Sequence, residues 1–284
     1  MDEIKLSVAI VTRNRPDILE QCLKSWRAQS IQPFEIVVSD DSSDDYIPLI
    51  KELCNTFQCI YVSGPRTGLY GNRNNAALAC SGTHIVTGDD DHTHPLKYVE
   101  TIMKLIKSNL DRVWIFGEKN TLLPDIMPTC PGELQKDGVV RSPLNPDDCS
   151  AIADGASVYP RKIFDSGLRY NQTYKFGGLW YLWGKTLVKN GWHITYSDKT
   201  FIWHHGETDS RKADKNWLMD QIECDLYVLT YFAFVMGGSS KAKLRAIFNI
   251  TKKTLFKTSI FNYDVKVRLP FSRIFRIIKN LFKK

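Results

Sequence analysis

The stretch His84-Ile-Val-Thr-Gly-Asp-Asp-Asp-His-Thr-His-Pro95 runs an apolar segment into three consecutive aspartates. Three adjacent carboxylates repel one another, so something must compensate them or they must face water. In an extended chain Asp89 and Asp91 project the same way and Asp90 the opposite way. That spacing lets two carboxylates share one cation. Hard oxygen ligands favour Mg²⁺ or Mn²⁺ over zinc. Such an ion keeps water, completes its shell with phosphate oxygens and can neutralise a departing diphosphate. A plainer reading competes: a helix is expected from Pro95, and acids near a helix N-terminus are favourable.

Outward from this stretch, short apolar runs alternate with helical periodicity through the first 117 residues. "LSVAIVT", "FEIVVSDD", "CIYVS", "THIVTG" and "RVWIFG" read as strands. Pro16 suits the first turn of a helix that carries Ile18, Leu19, Cys22, Leu23 and Trp26 on one face. Further helices are expected over Pro48 to Phe57, over "GNRNNAALACSG" with Gly82 as its cap, and over Pro95 to Ser108. The alternation predicts an α/β fold with a largely parallel sheet covered by helices. Ligands of such sheets bind at the carboxyl ends of the strands. Thr12 to Arg15, Asp40 with Asp41, and Asp89 to Asp91 all fall there. A carboxylate at Asp40 or Asp41 can accept from a nucleobase imide or a ribose hydroxyl, although "DDSSDD" also suits a helix cap. Arg73, in "GLYGNRNNA", stands at an expected helix start that favours anions, with Arg66 on the loop before it; both also fit surface arginines. Neither the dinucleotide fingerprint nor a P-loop is present.

Taken together, "VAIVTRNRPDILEQCLKSWRAQS", "EIVVSDDSSDD" and "GLYGNRNNAALACSGTHIVTGDDD" with Pro95 resemble, in order and spacing, the nucleotide-binding half of the GT-A glycosyltransferases, specifically glycosyltransferase family 2. The resemblance covers roughly residues 5 to 205. It implies a Rossmann-like, mostly parallel sheet flanked by helices, and transfer of a sugar from a nucleotide-sugar, usually UDP-linked, with inversion. Carried over by position, Thr12 and Arg15 would line the base pocket, Asp41 would contact the base, and Arg73 and Asp90 would approach the nucleotide. Asp89 and Asp91 would hold Mn²⁺ or Mg²⁺ on the diphosphate, with His204 or His205 of "FIWHHGETD", His205 by preference, as a further ligand.

The second half departs from the pattern. "DGASVYPRKIFDSGLRYN" resembles the acceptor-side segment, but the family's Phe-Asp-Glu and Gly-Glu-Asp triplets read Tyr170-Asn171-Gln172 and Gly177-Gly178-Leu179. An inverting transfer needs a base for the acceptor hydroxyl's proton. Asp154 is the first candidate to replace it, with Glu207 or Asp209 next. Among Trp180, Tyr181, Trp183, Trp192 and Trp203, most are expected in the core and one could form a sugar platform. Glu118 to Asp148, with five prolines, reads as a long loop of the kind that forms lids.

Charge is divided along the chain. Lys241 to Lys284 holds 13 Lys/Arg and one acid, Asp264, a net +12 against −5 for the rest. After an expected helix over Asp214 to Met236, stopped by Gly237 and Gly238, two helical patterns set Leu244, Ile247, Phe248, Thr251 and Leu255, then Phe271, Ile274, Phe275, Ile278, Leu281 and Phe282, among lysines and arginines, with Arg273, Arg276 and Lys279 opposite the second stripe. Basic amphipathic helices with aromatic anchors suit an anionic membrane surface. No nucleic-acid recognition motif accompanies the charge, so no nucleic-acid partner is expected. Seven cysteines without a C-x-x-C pair argue for reduced thiols. The acidic start "MDEIKLSVAIV" is unlike a signal peptide, and the longest apolar run, Leu226 to Met236, is too short to span a bilayer. The expected organisation is a GT-A domain over 1–210, divided into a nucleotide half (1–117) and an acceptor half (118–210), followed by a helical basic extension over 211–284. The expected protein is a metal-dependent glycosyltransferase on the cytoplasmic face of a membrane, acting on a glycan or lipid-linked acceptor. The alternative is a nucleotide-sugar-binding protein with little turnover.

Overall fold

The computed structural model describes residues 3–153, 155–205, 215–256, 258–259 and 266–282. Strands β1 (Leu6–Thr12), β2 (Glu35–Asp40), β3 (Ile60–Ser63) and β4 (His84–Asp89) alternate with helices α1 (Pro16–Arg27), α2 (Ile47–Thr56) and α3 (Leu69–Ala79). Next come β5 (His92–Thr93), α4 (Tyr98–Ser108), β6 (Val113–Asn120), the small hairpin β7 (Glu133–Leu134) and β8 (Val140–Arg141), and β9 (Ser157–Pro160). Helices α5 (Lys162–Asp165) and α6 (Leu179–Lys189) and the long strand β10 (Ile194–His204) follow. Helix α7 (Lys215–Phe234), α8 (Ser240–Leu255), the strand pair β11 (Thr258–Ser259) and β12 (Lys266–Val267), and α9 (Phe271–Leu281) end the chain.

Eight strands form one sheet in the order β3-β2-β1-β4-β9-β6-β10-β5. The β3-β2-β1-β4 half is parallel throughout, β9 runs against both of its neighbours, and β10 returns parallel to β6. The sheet is α/β as the alternation predicts, with β9 and β5 as antiparallel exceptions. β1 is buried along its whole length, as a central parallel strand covered on both faces must be. Leu19, Cys22, Leu23 and Trp26 of α1 supply one covering stripe.

Three boundaries differ from expectation. α4 begins at Tyr98, not at Pro95, so Asp91 lies seven residues ahead of it and helix-terminus stabilisation does not account for the acids. α3 ends at Ala79 in an extended Cys80. Gly82 does not cap it; a Cβ there would lie 2.5 Å from the Lys5 carbonyl, so close backbone approach requires the glycine. The expected loop over 118–148 contains the β7–β8 hairpin. All seven cysteines are free thiols. Among the described residues no helix is long and apolar enough to cross a membrane.

Candidate nucleotide and metal site

Parallel register aligns the strand ends that carry the polar clusters. Thr12 of β1 stands beside Asp40 of β2, and Val11 beside Asp89 of β4. A cavity of about 390 Å³ opens at this edge, lined among others by Thr12, Arg15, Asp41, Asp89, Asp90 and Asp91. Its size suits a nucleotide-sized ligand. Its walls are tied across elements. Asn14, at a left-handed φ of 56°, accepts from the Ser43 amide at 2.8 Å and donates its own amide to Ser42 Oγ at 2.7 Å. From the acceptor half, the Leu69 amide donates to the Lys175 carbonyl at 2.7 Å. Gly68, at φ +107°, permits this approach, since a Cβ would lie 2.6 Å from Lys175 Cα. Lys175 and Phe176 thereby join the cavity wall. Neither carries a sequence signal, because the contact that places them spans about a hundred residues.

Two arginines compensate the three aspartates. Arg73, almost fully buried on α3, donates to both oxygens of Asp89 at 2.7 Å. Burial alone would raise the Asp89 pKa, but Arg73 holds it well below the usual carboxylate range. Arg73 is therefore placed beneath the cavity as the counter-ion of Asp89 and does not line it, unlike the expected approach to the nucleotide. Arg15 bonds Asp90 through Nη2 and Nε and reaches Asp91 Oδ2 at 3.1 Å. Thr12 Oγ1 adds a donor to Asp90 at 2.7 Å. Burial nevertheless pushes Asp90 upward, Arg15 opposes this, and the neighbouring Asp91 and Asp89 charges add to the rise. Asp41 accepts from the Arg66 amide at 2.7 Å, and burial raises its pKa.

The expected pairing of Asp89 with Asp91 is not the one observed. β4 ends at Asp89 and the chain turns through Asp90 and Asp91, so the alternating geometry of an extended strand stops there. Asp91 instead groups with His92 and His204, their ligand atoms lying within 4.8 Å of one another. Strand pairing produces this: β5 and β10 run antiparallel with His92 directly opposite His204. The two rings stand edge to face, with centroids 5.2 Å apart. Glu118 Oε1 lies 2.6 Å from His204 Nδ1, which leaves Nε2 facing Asp91 Oδ2 at 4.0 Å. Burial works against the charged ring, but Glu118 and the Asp91 and Asp89 charges prevail and raise the His204 pKa to about 9. His92 Nδ1 is buried without a hydrogen-bond partner. One carboxylate and two imidazoles fit a divalent first-row ion, and the carboxylate–histidine contact at Glu118 is the kind that orients a metal ligand. His205 is not in this group; its Nε2 lies 3.0 Å from Thr93 Oγ1. His92 and Glu118 were not singled out from sequence. Their only signal is strand pairing.

The acceptor side retains no acid at the substituted triplets. Leu179 is fully buried at the start of α6. Asp154, Glu207 and Asp209 lie outside the described residues. Gly155, next to Asp154 in sequence, is at φ +77° and packs against His92 so closely that a Cβ would lie 2.3 Å from His92 Cε1. A carboxylate not foreseen from sequence comes from α7: a Cβ built at Gly178 would lie 3.4 Å from Asp225 Oδ1. Asp225 keeps more than a third of its surface exposed; desolvation by its neighbours nevertheless raises its pKa to about 6, against Lys253 and the Gly178 amide. Of the aromatics, Trp183 is core, whereas half-buried Trp180 stacks on Tyr181 with centroids 3.6 Å apart.

Comparison with known proteins places this arrangement. Residues 7–133 match the family described as Glycosyl transferase family 2. Over 121 residues the chain is 35% identical to the GalNAc(5)-diNAcBac-PP-undecaprenol beta-1,3-glucosyltransferase of Campylobacter jejuni, a match that covers 40% of this chain and 37% of that protein. Among solved structures, GalNAc-T7 with UDP, GalNAc and Mn²⁺ superposes with a TM-score of 0.63 at 15% identity, covering 81% of this chain and 48% of that one. S. aureus TarS 1–349 in complex with UDP-GlcNAc does so with a TM-score of 0.58 at 14% identity, covering 87% and 80%. The chain thus spans less than two-fifths of the curated relative it matches, and at these identities the solved structures bear on the fold alone. Over residues 7–133 the chain is thus similar to glycosyltransferase family 2, and its fold is similar to those of GalNAc-T7 and TarS.

Proposed function

We propose that the protein is a metal-dependent glycosyltransferase that moves a sugar from a UDP-linked donor, with inversion, onto a glycan or lipid-linked acceptor at the cytoplasmic face of a membrane. One observation carries the reading: the cavity at the strand ends and the Asp91–His92–His204 group share Asp91. A nucleotide in the cavity would lie beside an ion held by that group. The relatives' names supply the substrate classes: TarS is solved with UDP-GlcNAc, GalNAc-T7 with UDP and Mn²⁺, and the Campylobacter relative is named for an undecaprenol-linked substrate.

In this reading Asp41 accepts a hydrogen bond from the base, and the Arg15 guanidinium sits between the acid cluster and the diphosphate. Asp91, His92 and His204 would hold the ion, with Glu118 fixing the ring of His204. Two imidazoles favour Mn²⁺ over Mg²⁺, which prefers an all-oxygen shell. When bound, the ion supplies Lewis-acid neutralisation of the leaving diphosphate. Arg73 keeps Asp89 ionised and fixed beneath the site. The acceptor hydroxyl's proton goes to a carboxylate, for which Asp154 and Asp225 are the candidates.

The test is turnover. Purified protein with Mn²⁺, a panel of UDP-sugars and membrane extract as acceptor is expected to release UDP. Release should fall at least about a hundred-fold, the usual worth of a general base, in whichever of Asp154→Asn or Asp225→Asn removes it. If Asp225 is the base, the limb of the kcat/KM profile near pH 6 disappears in Asp225→Asn and returns in Asp225→Glu. Metal-linked UDP binding without release would support the second reading, a nucleotide-sugar-binding protein, which the buried Leu179 at the substituted triplet favours.

A further inference from the structure

The C-terminal helices are inverted with respect to an ordinary surface helix. α9 turns polar groups inward onto α7: Arg273 reaches Glu223 Oε2 at 3.0 Å and also bonds Asp220, and Arg276 bonds both oxygens of Glu223. Glu223 is fully buried under them. Ile274 and Ile277 are buried on the same side. Phe271, Phe275, Ile278 and Phe282 face out, at helical spacing. α8 repeats the pattern. Ala242, Ala246 and Thr254 are buried, while Leu244, Ile247, Phe248 and Leu255 form an outward stripe that Phe256 extends. These nine large apolar side chains are 46–81% exposed. α8 and α9 both pack on α7 and touch each other, so they lie side by side with their stripes directed away from it. Neither helix carries an acid, and Lys241, Lys243, Arg245, Lys252, Arg268 and Lys279 are exposed on or beside them.

We propose that the outward faces of α8 and α9 seat on an anionic lipid bilayer, the phenylalanines entering the headgroup–acyl boundary and the lysines meeting lipid phosphates. This deepens the lipid-linked acceptor reading and names the surface that would bring the catalytic domain to its substrate. Charge selects the occupant. A protein interface is depleted of lysine and a nucleic acid offers no apolar phase, whereas an interfacial helix combines aromatic anchors with cations. Arg273, mostly buried, and Arg276, half-exposed, are both held by Glu223 and serve α9 docking, on the side opposite the outward phenylalanines. They fix which face of α9 turns out.

The experiment is co-sedimentation of the full chain with phosphatidylcholine vesicles, with and without phosphatidylglycerol. Binding is expected only to the anionic vesicles, weakening with salt. The pair Phe248→Ser and Phe275→Ser should weaken it about a hundred-fold, about ten-fold for each lost aromatic. Lys243→Glu with Lys252→Glu should abolish the preference for anionic lipid. All four positions are exposed, so metal-linked UDP binding, measured by calorimetry on each variant, should be unchanged. Three results would overturn the proposal: no vesicle binding by a protein that still binds UDP; a solution dimer, without vesicle binding, that the phenylalanine substitutions dissolve; or salt-sensitive nucleic-acid binding indifferent to those substitutions. Vesicle binding by a protein that fails to bind UDP would sink the transferase reading and leave this one standing.

Discussion

At the scale of single residues, the acid triplet is divided among three sets of partners. Asp89 belongs to Arg73, Asp90 to Arg15 and Thr12, and Asp91 to Arg15 and two histidines. The division makes separable predictions. Asp91→Ala and His204→Ala are expected to abolish Mn²⁺-dependent stabilisation by UDP in a thermal-shift assay, while His205→Ala leaves it close to the parent, because His205 stands outside the group. Arg73→Leu should act differently. It leaves a carboxylate without its buried counter-ion and should cost about 3 kcal/mol in urea unfolding, the usual range for breaking such a pair. A normal stability for Arg73→Leu with lost UDP binding would return that residue to the nucleotide. Asp89, Asp90, Asp91, Thr12, Arg15 and Asp41 were legible as a constellation because all follow strands, and strands announce themselves by apolar periodicity. Their individual partners were not legible, since the turn after Asp89 redirects each side chain.

At the scale of elements, the edge of β2 shows how the sheet is fastened. Glu35 Oε1 accepts from Ser7 Oγ at 2.6 Å and from the Ser81 amide and hydroxyl, joining β1, β2 and the turn after α3. Partial burial opposes these donors, but together they lower the Glu35 pKa. A carboxylate depressed in the folded state contributes stability above its unfolded pKa, about 4.3, and loses it as pH falls through the folded value. Glu35→Gln is therefore expected to be less stable than the parent at pH 7, and the gap should narrow as the pH drops below about 4, measured as urea midpoints. The same scale explains the metal group. His92 was passed over because a two-residue strand has no periodic signature, and its pairing with β10 over more than a hundred residues creates the cluster.

At the scale of the whole molecule, α7 is the joint between body and tail. It packs on α6, on α8 and on α9, and its buried face runs from Leu218 to Ala233. The tail foreseen as an extension over 211–284 is thus, in its described part, laid against the body. Unfolding of the parent should be one transition in which α9 amides lose exchange protection together with β1. Glu223→Gln leaves Arg273 and Arg276 without their buried partner and should release α9 first, seen as early hydrogen exchange confined to 271–281. Joint exchange of α9 and β1 in that variant would show that apolar contacts alone hold the helix.

The order of strands and helices, the carboxyl-end clusters and the segregation of charge into the last 44 residues were set by the sequence alone, because apolar period, glycine and proline placement and net charge are local quantities. Tertiary structure decided which histidines meet Asp91, that Arg73 serves an aspartate, that a carboxylate from α7 stands at the substituted triplet, and which face of each basic helix turns outward. Those outcomes depend on contacts between distant segments, whose geometry no local pattern encodes.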